Sequence, residues 1–179
     1  MIIFADGFGL YSDKICRPMK KLVILVRHAQ SAGKQAGQQD YGRRLTPEGE
    51  AAANNLGSLL LHASLIPQLI LSSGSVRTRQ TTTIINKALR LPPTQLYFHD
   101  NLYEATTEVW MDYIHQLSDE VTCSLLVGHN PVISQLASQF GERTIDLPPT
   151  GLIAFEFTHA AWRYLPKAGT EITRVLNTH

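Results

Sequence analysis

Short apolar runs alternate with helical patterns along this chain. The runs predict strands at residues 22–26, 69–71, 95–98, 124–127, 153–158 and 162–165. Every position of the first run is apolar, which is typical of a strand covered on both faces inside a parallel sheet. Because helical patterns separate most of the runs, we expect an α/β fold of three layers, α/β/α, around a mostly parallel central sheet.

Start signals place the helices between these strands. Thr46 is the predicted N-cap of the first helix, with Pro47 at its first helical position. Asn130 is the predicted N-cap of the last helix, with Pro131 following it. A third helix is expected near 109–117. The apolar faces are expected to hold Ala52, Leu56, Leu59, Leu60 and Ala63 in the first helix, Thr81, Ile84, Ile85 and Ala88 in the second, and Ile133, Leu136, Ala137 and Phe140 in the last.

Composition sets the size and the class of the protein. The chain has 179 residues, of which 44% are hydrophobic and 17% charged. These values are ordinary for a globular protein, and the length suits a single core. Met19 and two lysines directly precede the first strand, so we expect residues 19–179 to form one domain. Residues 1–18 are then an N-terminal extension, or they reflect a translation start placed too far upstream.

Charge, cysteines and hydropathy narrow the class further. The formal net charge is +1 and the basic residues form no block, so a nucleic-acid partner is not expected. Two cysteines are too few for a disulfide framework or a zinc cluster. No apolar stretch reaches transmembrane length, and residues 1–18 make a poor signal peptide. We therefore expect a cytoplasmic protein without a membrane partner.

Polar groups suited to an anion follow three of the predicted strands. They are Arg27-His28, the segment 72–77 with Arg77, and His129-Asn130. Because parallel strands place their carboxyl ends at one edge of a sheet, we expect these groups to share a pocket. The planar fork of arginine binds two phosphoryl oxygens at once, and histidine can carry a phosphoryl group covalently. The pattern therefore predicts a site for phosphoryl transfer.

Each of these features has a simpler alternative when it is taken alone. Arg77 on a helix is often solvated or salt-bridged, and His129 before a helix start can pack near the cap without a function. A doubly wound nucleotide- or flavin-binding domain would also be α/β. However, the chain contains neither a Gly-x-Gly-x-x-Gly nor a Gly-Lys-Ser/Thr loop. The joint placement at one sheet edge favours the phosphoryl site.

Three dispersed motifs occur in a familiar order. Arg27-His28-Ala29 is similar to an Arg-His-Gly signature, with alanine in place of glycine. Residues 72–81 are similar to a Ser-Pro-x-x-Arg-Ala-x-Gln-Thr stretch whose arginine falls on Arg77, and 127–131 match a segment with a second histidine. The chain thereby resembles the histidine phosphatase superfamily, which implies a phosphoglycerate-mutase-like fold.

Two further segments point to one branch of that family. Residues 40–49 are similar to the Asp-x-x-Arg-Pro-Leu-Thr-x-x-Gly element of the SixA-like phosphohistidine phosphatases, with Arg44 in place of proline. Residues 147–151 resemble the Pro-Thr-Gly turn of the same branch. The likeness extends from about residue 20 to the C-terminus.

The resemblance implies a role for each matching residue. His28 would be the nucleophile, and Arg27, Arg77 and His129 would bind the phosphoryl group. Asn130 follows the second histidine at a helix start, where backbone amides favour an anion. This makes Asn130 a further candidate for substrate binding.

Two candidate roles come from the mutase branch of the family. Lys34 stands where that branch has a phosphate-contacting asparagine, which makes it a candidate for substrate binding. Glu104 stands where the branch has a catalytic acid, and a partly buried glutamate there would protonate an alkoxide leaving group. The alternative for Glu104 is an exposed carboxylate in a loop.

The favoured interpretation is a phosphatase that works through phosphohistidine at His28, with neither a metal nor an organic cofactor. The short connections leave little sequence for a lid, so the expected substrate is phosphohistidine displayed on a protein. Hydrolysis of small phosphomonoesters is the main alternative. A mutase would need a closed site that excludes water. A phosphate-binding or phosphoprotein-binding module without turnover is a further alternative, which the presence of His28 disfavours.

Overall fold

The computed structural model describes residues 20–158 and 161–165. The predicted extension, residues 1–18, lies outside this part of the chain, as does Met19, where the domain was predicted to begin. Within the described residues, five strands form one sheet in the order β3-β2-β4-β1-β5. Their bounds are β1 Lys21–Arg27, β2 Leu69–Ser73, β3 Leu96–His99, β4 Cys123–Gly128 and β5 Leu152–Phe157. Neighbouring strands pair in parallel except β5, which runs antiparallel to β1, so the prediction of a mostly parallel sheet is confirmed.

Helices cover both faces of this sheet. They are α1 Pro47–His62, α2 Val76–Leu89, α3 Thr107–His115 and α4 Val132–Gly141. Successive side chains of β1 point to opposite faces: Val23 and Leu25 join a core with residues of α3 and α4, while Ile24 and Val26 join one with residues of α1 and α2. This alternation confirms the three-layer prediction. Among the helices of the described residues, none is long and apolar enough to cross a membrane.

Helix α1 begins as predicted and buries only part of the predicted face, including Leu56 and Leu60. The Thr46 side chain accepts a hydrogen bond from the Gly49 amide, as an N-cap does. Leu59 is 43% exposed and Ala63 is also exposed, so the predicted face is partly wrong. A Cβ at Gly57 would lie 2.8 Å from the Ile85 carbonyl oxygen in α2. The contact with α2 therefore runs over small residues, whereas the prediction followed the leucines.

The start of α4 corrects another prediction. The N-cap is Pro131, and Asn130 does not cap the helix. Instead the Asn130 amide group donates to Asp146 Oδ1 at 3.0 Å and to the Leu147 carbonyl at 3.1 Å, while its oxygen accepts from the Ser134 hydroxyl at 2.7 Å. These partners come from a loop distant in sequence, and they take the side chain away from the helix amides.

The last predicted strand is wrong as well. Residues Trp162–Tyr164 form a short 3-10 helix. The Trp162 side chain is fully buried, its ring nitrogen donates to the Val121 carbonyl at 2.8 Å, and its backbone amide donates to Asp119 Oδ1 at 3.0 Å. The bond to Asp119 satisfies the backbone amide that a strand would have paired with a neighbouring strand.

Two more 3-10 helices lie in the loops near the carboxyl ends of the strands. They span Asp40–Gly42 and Asp100–Leu102. The first precedes α1 and the second follows β3, and both contribute side chains to the site described next.

Candidate active site

The carboxyl ends of β1, β2 and β4 lie side by side because β4 is the central neighbour of the other two strands. Arg27 of β1 is in register with Gly128 of β4, so the residues that follow each of them, His28 and His129, are close. The His28 amide donates to the Gly128 carbonyl at 3.0 Å, and the ring centroids of the two histidines are 5.0 Å apart. The structure thus brings together two predicted site residues from distant parts of the chain.

One ring nitrogen of His28 carries the proton and the other is unprotonated. Nδ1 lies 2.7 Å from the Ala29 carbonyl oxygen, which can only accept, so Nδ1 carries the proton. Nε2 accepts a hydrogen bond from Nε of Arg77 at 3.3 Å. Burial lowers the pKa of His28 to about 4; the Ala29 carbonyl opposes this shift and the nearby arginines add to it. The ring is therefore neutral near pH 7, with a lone pair on Nε2.

Arg77 is 6% exposed and is oriented by Asp40. Its Nη1 donates to the Asp40 carbonyl at 2.7 Å, and its Nη2 donates to Asp40 Oδ2 at 2.9 Å. The pKa of Asp40 lies well below its usual range, because Tyr103 donates a hydrogen bond to the carboxylate and Arg43 and Arg77 bind it. Asp40 is thus an ionised carboxylate at the centre of the arginine cluster.

Arg43 is a site residue to which the sequence analysis gave no role. Its three guanidinium nitrogens donate to Asp40 Oδ1 at 2.7 Å, the Ser31 hydroxyl at 2.7 Å and the Ala32 carbonyl at 2.8 Å. Its charge contributes to the lowered pKa of His28, which places it near the imidazole. The Asp-x-x-Arg element at residues 40–43 ends in Arg43 and is the sequence signal by which it could have been found.

Arg27 enters the site from the end of β1. Its Nη1 donates to the Leu147 carbonyl at 2.9 Å, whereas its Nε is buried without a hydrogen-bond partner among the described residues. Buried donors are normally paired. The Nε–H of Arg27 is therefore a donor that no described group uses.

The tautomer of His129 follows from the hydrogen bonds of three neighbouring hydroxyl groups, because each hydroxyl has a single proton to donate. The Thr78 hydroxyl donates to the Ser73 and Ser75 carbonyls, so the Ser75 hydroxyl donates to Thr78 Oγ1 at 2.9 Å. The Ser73 hydroxyl lies 2.9 Å from His129 Nε2 and donates its proton to this nitrogen. His129 therefore carries its proton on Nδ1, and this buried atom has no partner among the described residues.

His129 is neutral near pH 7. Its pKa is lowered to about 3. Burial is the main cause, and His28 and Arg77 lower the pKa further, while Asp40 opposes them. The site in this state holds two neutral imidazoles among three guanidinium groups.

A cleft of about 570 Å³ opens beside this cluster. Arg77, Tyr103, Glu104, His129 and Asn130 are among the residues that line it. The Glu104 side chain is exposed, which departs from the partial burial expected of a catalytic acid. Lys34 is exposed and is not part of the lining, so the structure does not bring it to the cleft.

The arrangement suits a phosphoryl group. Arg27, Arg43 and Arg77 supply fixed positive charge, and the unprotonated Nε2 of His28 supplies a nucleophile. Within residues 20–158 and 161–165, no group of three or more His, Cys, Asp or Glu side chains is placed to hold a metal ion. The chemistry that these residues can perform is nucleophilic attack on phosphorus with charge stabilisation by arginine.

Comparisons with known proteins agree with this interpretation. The model of the histidine phosphatase superfamily (branch 1) matches residues 23–116. An uncharacterised protein of Mycobacterium leprae is 29% identical over 159 residues, which are 82% of this chain and 96% of that protein.

Solved structures extend the likeness to most of the chain. The proposed phosphohistidine phosphatase SixA of Agrobacterium tumefaciens is 26% identical with a TM-score of 0.73, covering 87% of this chain and 97% of that one. The proposed phosphohistidine phosphatase SixA of Nakamurella multipartitia is 22% identical with a TM-score of 0.72, and the match covers 88% of this chain and 95% of that one. These matches confirm the predicted phosphoglycerate-mutase-like fold and the predicted resemblance to SixA.

Proposed function

The chain belongs to the histidine phosphatase superfamily and is a phosphatase, and from this premise we propose that it hydrolyses phosphohistidine on proteins through a covalent intermediate at His28. One observation carries the proposal. The neutral His28 ring has an unprotonated Nε2 that lies beside Arg77, while its Nδ1 donates a hydrogen bond to the Ala29 carbonyl. This is the form of histidine that attacks phosphorus.

The proposed first step transfers the phosphoryl group to His28. The substrate ring carries a proton on its other nitrogen. Nε2 attacks the phosphorus atom, and the bond from phosphorus to the substrate nitrogen breaks and leaves its electron pair on that nitrogen, so the ring departs as neutral imidazole. The positive charge that forms on the His28 ring is stabilised by the Nδ1–H bond to the Ala29 carbonyl. Arg27 and Arg77 bind the phosphoryl oxygens, which carry the negative charge in the transition state. Water then attacks the phosphorus, and the bond from phosphorus to Nε2 breaks with its electron pair returning to that nitrogen. Phosphate leaves with the two protons of the water, and neutral His28 is restored.

His129 takes part as a hydrogen-bond donor. Its Nδ1–H has no partner in the described residues, and the ring lies beside His28, so we assign it to a phosphoryl oxygen. An incoming phosphate brings negative charge next to the ring and would raise the pKa of His129 from its value of about 3. The step itself needs only the neutral donor.

Two observations support a phosphorus–nitrogen substrate. Glu104 is exposed, so the burial by which enzymes keep a catalytic carboxyl group protonated is missing there. Imidazole is a better leaving group than an alkoxide and has less need of such an acid. In addition, the similar protein from Agrobacterium tumefaciens is itself a proposed phosphohistidine phosphatase.

Replacing the nucleophile tests the mechanism. The H28A variant should lose turnover while keeping its fold, because the half-buried ring lies at a strand end and its hydrogen bonds are to Ala29 and Arg77. In the native enzyme, rapid quenching should trap an acid-labile, base-stable phosphoryl group on His28. The exposed His62→Ala variant is the control and should keep full activity. Turnover by H28A, or a trapped adduct on serine, would contradict the mechanism.

Comparing substrates tests the assignment of phosphohistidine. We expect kcat/KM for a protein carrying phosphohistidine to exceed that for every member of a panel of small phosphomonoesters. The panel should include sugar phosphates, because hydrolysis of such esters is the alternative function. A higher kcat/KM for an ester would replace the proposed substrate class and leave the role of His28 unchanged.

A further inference from the structure

Two loops of the site are joined by a reciprocal pair of side-chain hydrogen bonds. Tyr103 donates its hydroxyl to Asp40 Oδ2 at 2.5 Å, and Tyr41 donates its hydroxyl to Asp100 Oδ1 at 2.6 Å. The two tyrosine rings meet edge to face with centroids 4.9 Å apart. Each loop contributes one aspartate and one tyrosine. We call these four residues the tyrosine–aspartate clasp.

One end of the clasp holds the arginine that faces the nucleophile. Asp40 binds both terminal nitrogens of Arg77, one through its backbone carbonyl and one through its carboxylate. Because the guanidinium group is planar and rigid, these two bonds fix the direction of its remaining edge. That edge carries Nε, which lies 3.3 Å from His28 Nε2. The Arg77 guanidinium also lies over the Tyr103 ring, 5.5 Å from the centroid of that ring.

At the other end of the clasp, the bond between Tyr41 and Asp100 leaves no room for a Cβ at position 74. A Cβ built on Gly74 would lie 1.9 Å from Asp100 Oδ1 and 2.6 Å from the Tyr41 hydroxyl oxygen. The family motif that residues 72–81 resemble has proline at this position. Gly74 and the bond between Tyr41 and Asp100 occur together in this chain. In the described part of the structure, the hydrogen bonds of the His28 ring are to Ala29 and Arg77, not to Tyr41 or Asp100.

We propose that the tyrosine–aspartate clasp positions Arg77 against His28, with Asp40 as its positioning residue. The proposal rests on His28 as the nucleophile. The Asp40 carboxylate balances part of the charge of Arg43 and Arg77, which weakens the pull of these arginines on a phosphate. At the same time it holds Arg77 in the geometry of the reaction. Asp40 thus favours the transition state at some expense of ground-state binding.

This balance predicts a division between rate and affinity in D40N, a variant of the same shape that lacks the charge. With p-nitrophenyl phosphate as the substrate, kcat should fall by about tenfold or more, since small misplacements at a reacting centre have effects of this size. The inhibition constant of inorganic phosphate should not rise, because the freed arginines still attract it. An inhibition constant that rises as much as kcat falls, or an unchanged kcat, would overturn the proposal.

Tyr41→Phe tests the distal end of the clasp. The change removes the bond to Asp100 and leaves every hydrogen bond to Arg77 in place, so we expect kcat to fall by roughly two- to fivefold with unchanged phosphate inhibition. In the D40N background the same change should have no further effect, because its action passes through Asp40. Tyr97→Phe is the matched control, since Tyr97 is 46% exposed on the edge strand β3. Full kcat in Tyr41→Phe, or effects of the two changes that add, would refute the clasp.

The assay separates this proposal from the proposed function. p-Nitrophenyl phosphate is an activated ester, so the measurement does not depend on phosphohistidine being the natural substrate. Turnover that persists in H28A would overturn the mechanism on which the clasp rests. Turnover that is lost in H28A and unchanged in D40N would overturn the clasp alone.

Discussion

His28 and His129 carry their proton on the same ring nitrogen, and a different partner fixes it in each. The Ala29 carbonyl accepts from His28 Nδ1, and the Ser73 hydroxyl occupies Nε2 of His129. Both rings are desolvated and lie near Arg77, so both pKa values are lowered. At the scale of the residue, the site therefore holds a neutral nucleophile and a neutral donor within 5.0 Å of each other.

An NMR titration of the imidazole carbons checks this state. We expect His28 and His129 to remain neutral at pH 6, because their pKa values are lowered to about 4 and about 3. The rings lie close together, so their protonation steps should be coupled. Resonances can be assigned from H28A and H129N. A midpoint at pH 6 or higher for either ring would contradict the electrostatic description of the site.

At the scale of the element, the first turn of α1 packs closely against the loop that follows the nucleophile. A Cβ at Gly49 would lie 2.1 Å from the Gln30 carbonyl oxygen, which also accepts a hydrogen bond from the Thr46 amide at 3.0 Å. The first turn of α1 thus packs against backbone only two residues beyond His28. This close approach is the reason for glycine at a helical position.

Gly49→Ala should therefore destabilise the protein although alanine favours helices. The gain in helix propensity is about 1 kcal/mol, whereas overlap with a carbonyl held by Thr46 costs more. We expect a net loss of about 2 kcal/mol in the free energy of unfolding, measured with denaturant. Gly33→Ala is the control, since a Cβ there meets nothing within 4 Å. A Gly49→Ala variant as stable as the wild type would show that the loop shifts freely.

At the scale of the whole molecule, the two buried histidines link stability to pH. In the unfolded chain each would bind a proton near pH 6.5, whereas in the folded protein the pKa values are about 4 and about 3. Between these values protons bind preferentially to the unfolded state, so stability falls as the pH drops from 6.5. The lowered pKa of Asp40 acts in the same direction only below its ordinary value of 3.8.

Unfolding free energies at pH 7 and pH 5 measure this linkage. Each histidine should contribute a loss of about 2 kcal/mol over this interval. H129N should lose roughly half as much as the wild type, and the exposed His62→Gln variant should lose as much as the wild type. An identical loss in H129N and in the wild type would contradict burial as the cause.

Local patterns were sufficient for most of the fold and for the residues nearest the reaction. The apolar run of β1 predicts burial on both faces, and Arg27 and His28 follow it in sequence, so their place at the sheet edge needs no other information. The prediction is wrong where distant segments compete for a group. Asn130 binds Asp146 in place of the helix amides, and the Trp162 backbone amide binds Asp119 in place of a strand partner.

The sequence by itself determined the order of strands and helices as far as β5, the residue types at the strand ends and the family, because these depend on neighbours along the chain. Only the tertiary structure decided that Asp40, Arg77 and Tyr103 meet, that His129 is neutral and that Glu104 is exposed. The physical reason is that charge state and exposure depend on the groups that surround a side chain in space. In this site those groups come from segments of the chain that lie tens of residues apart.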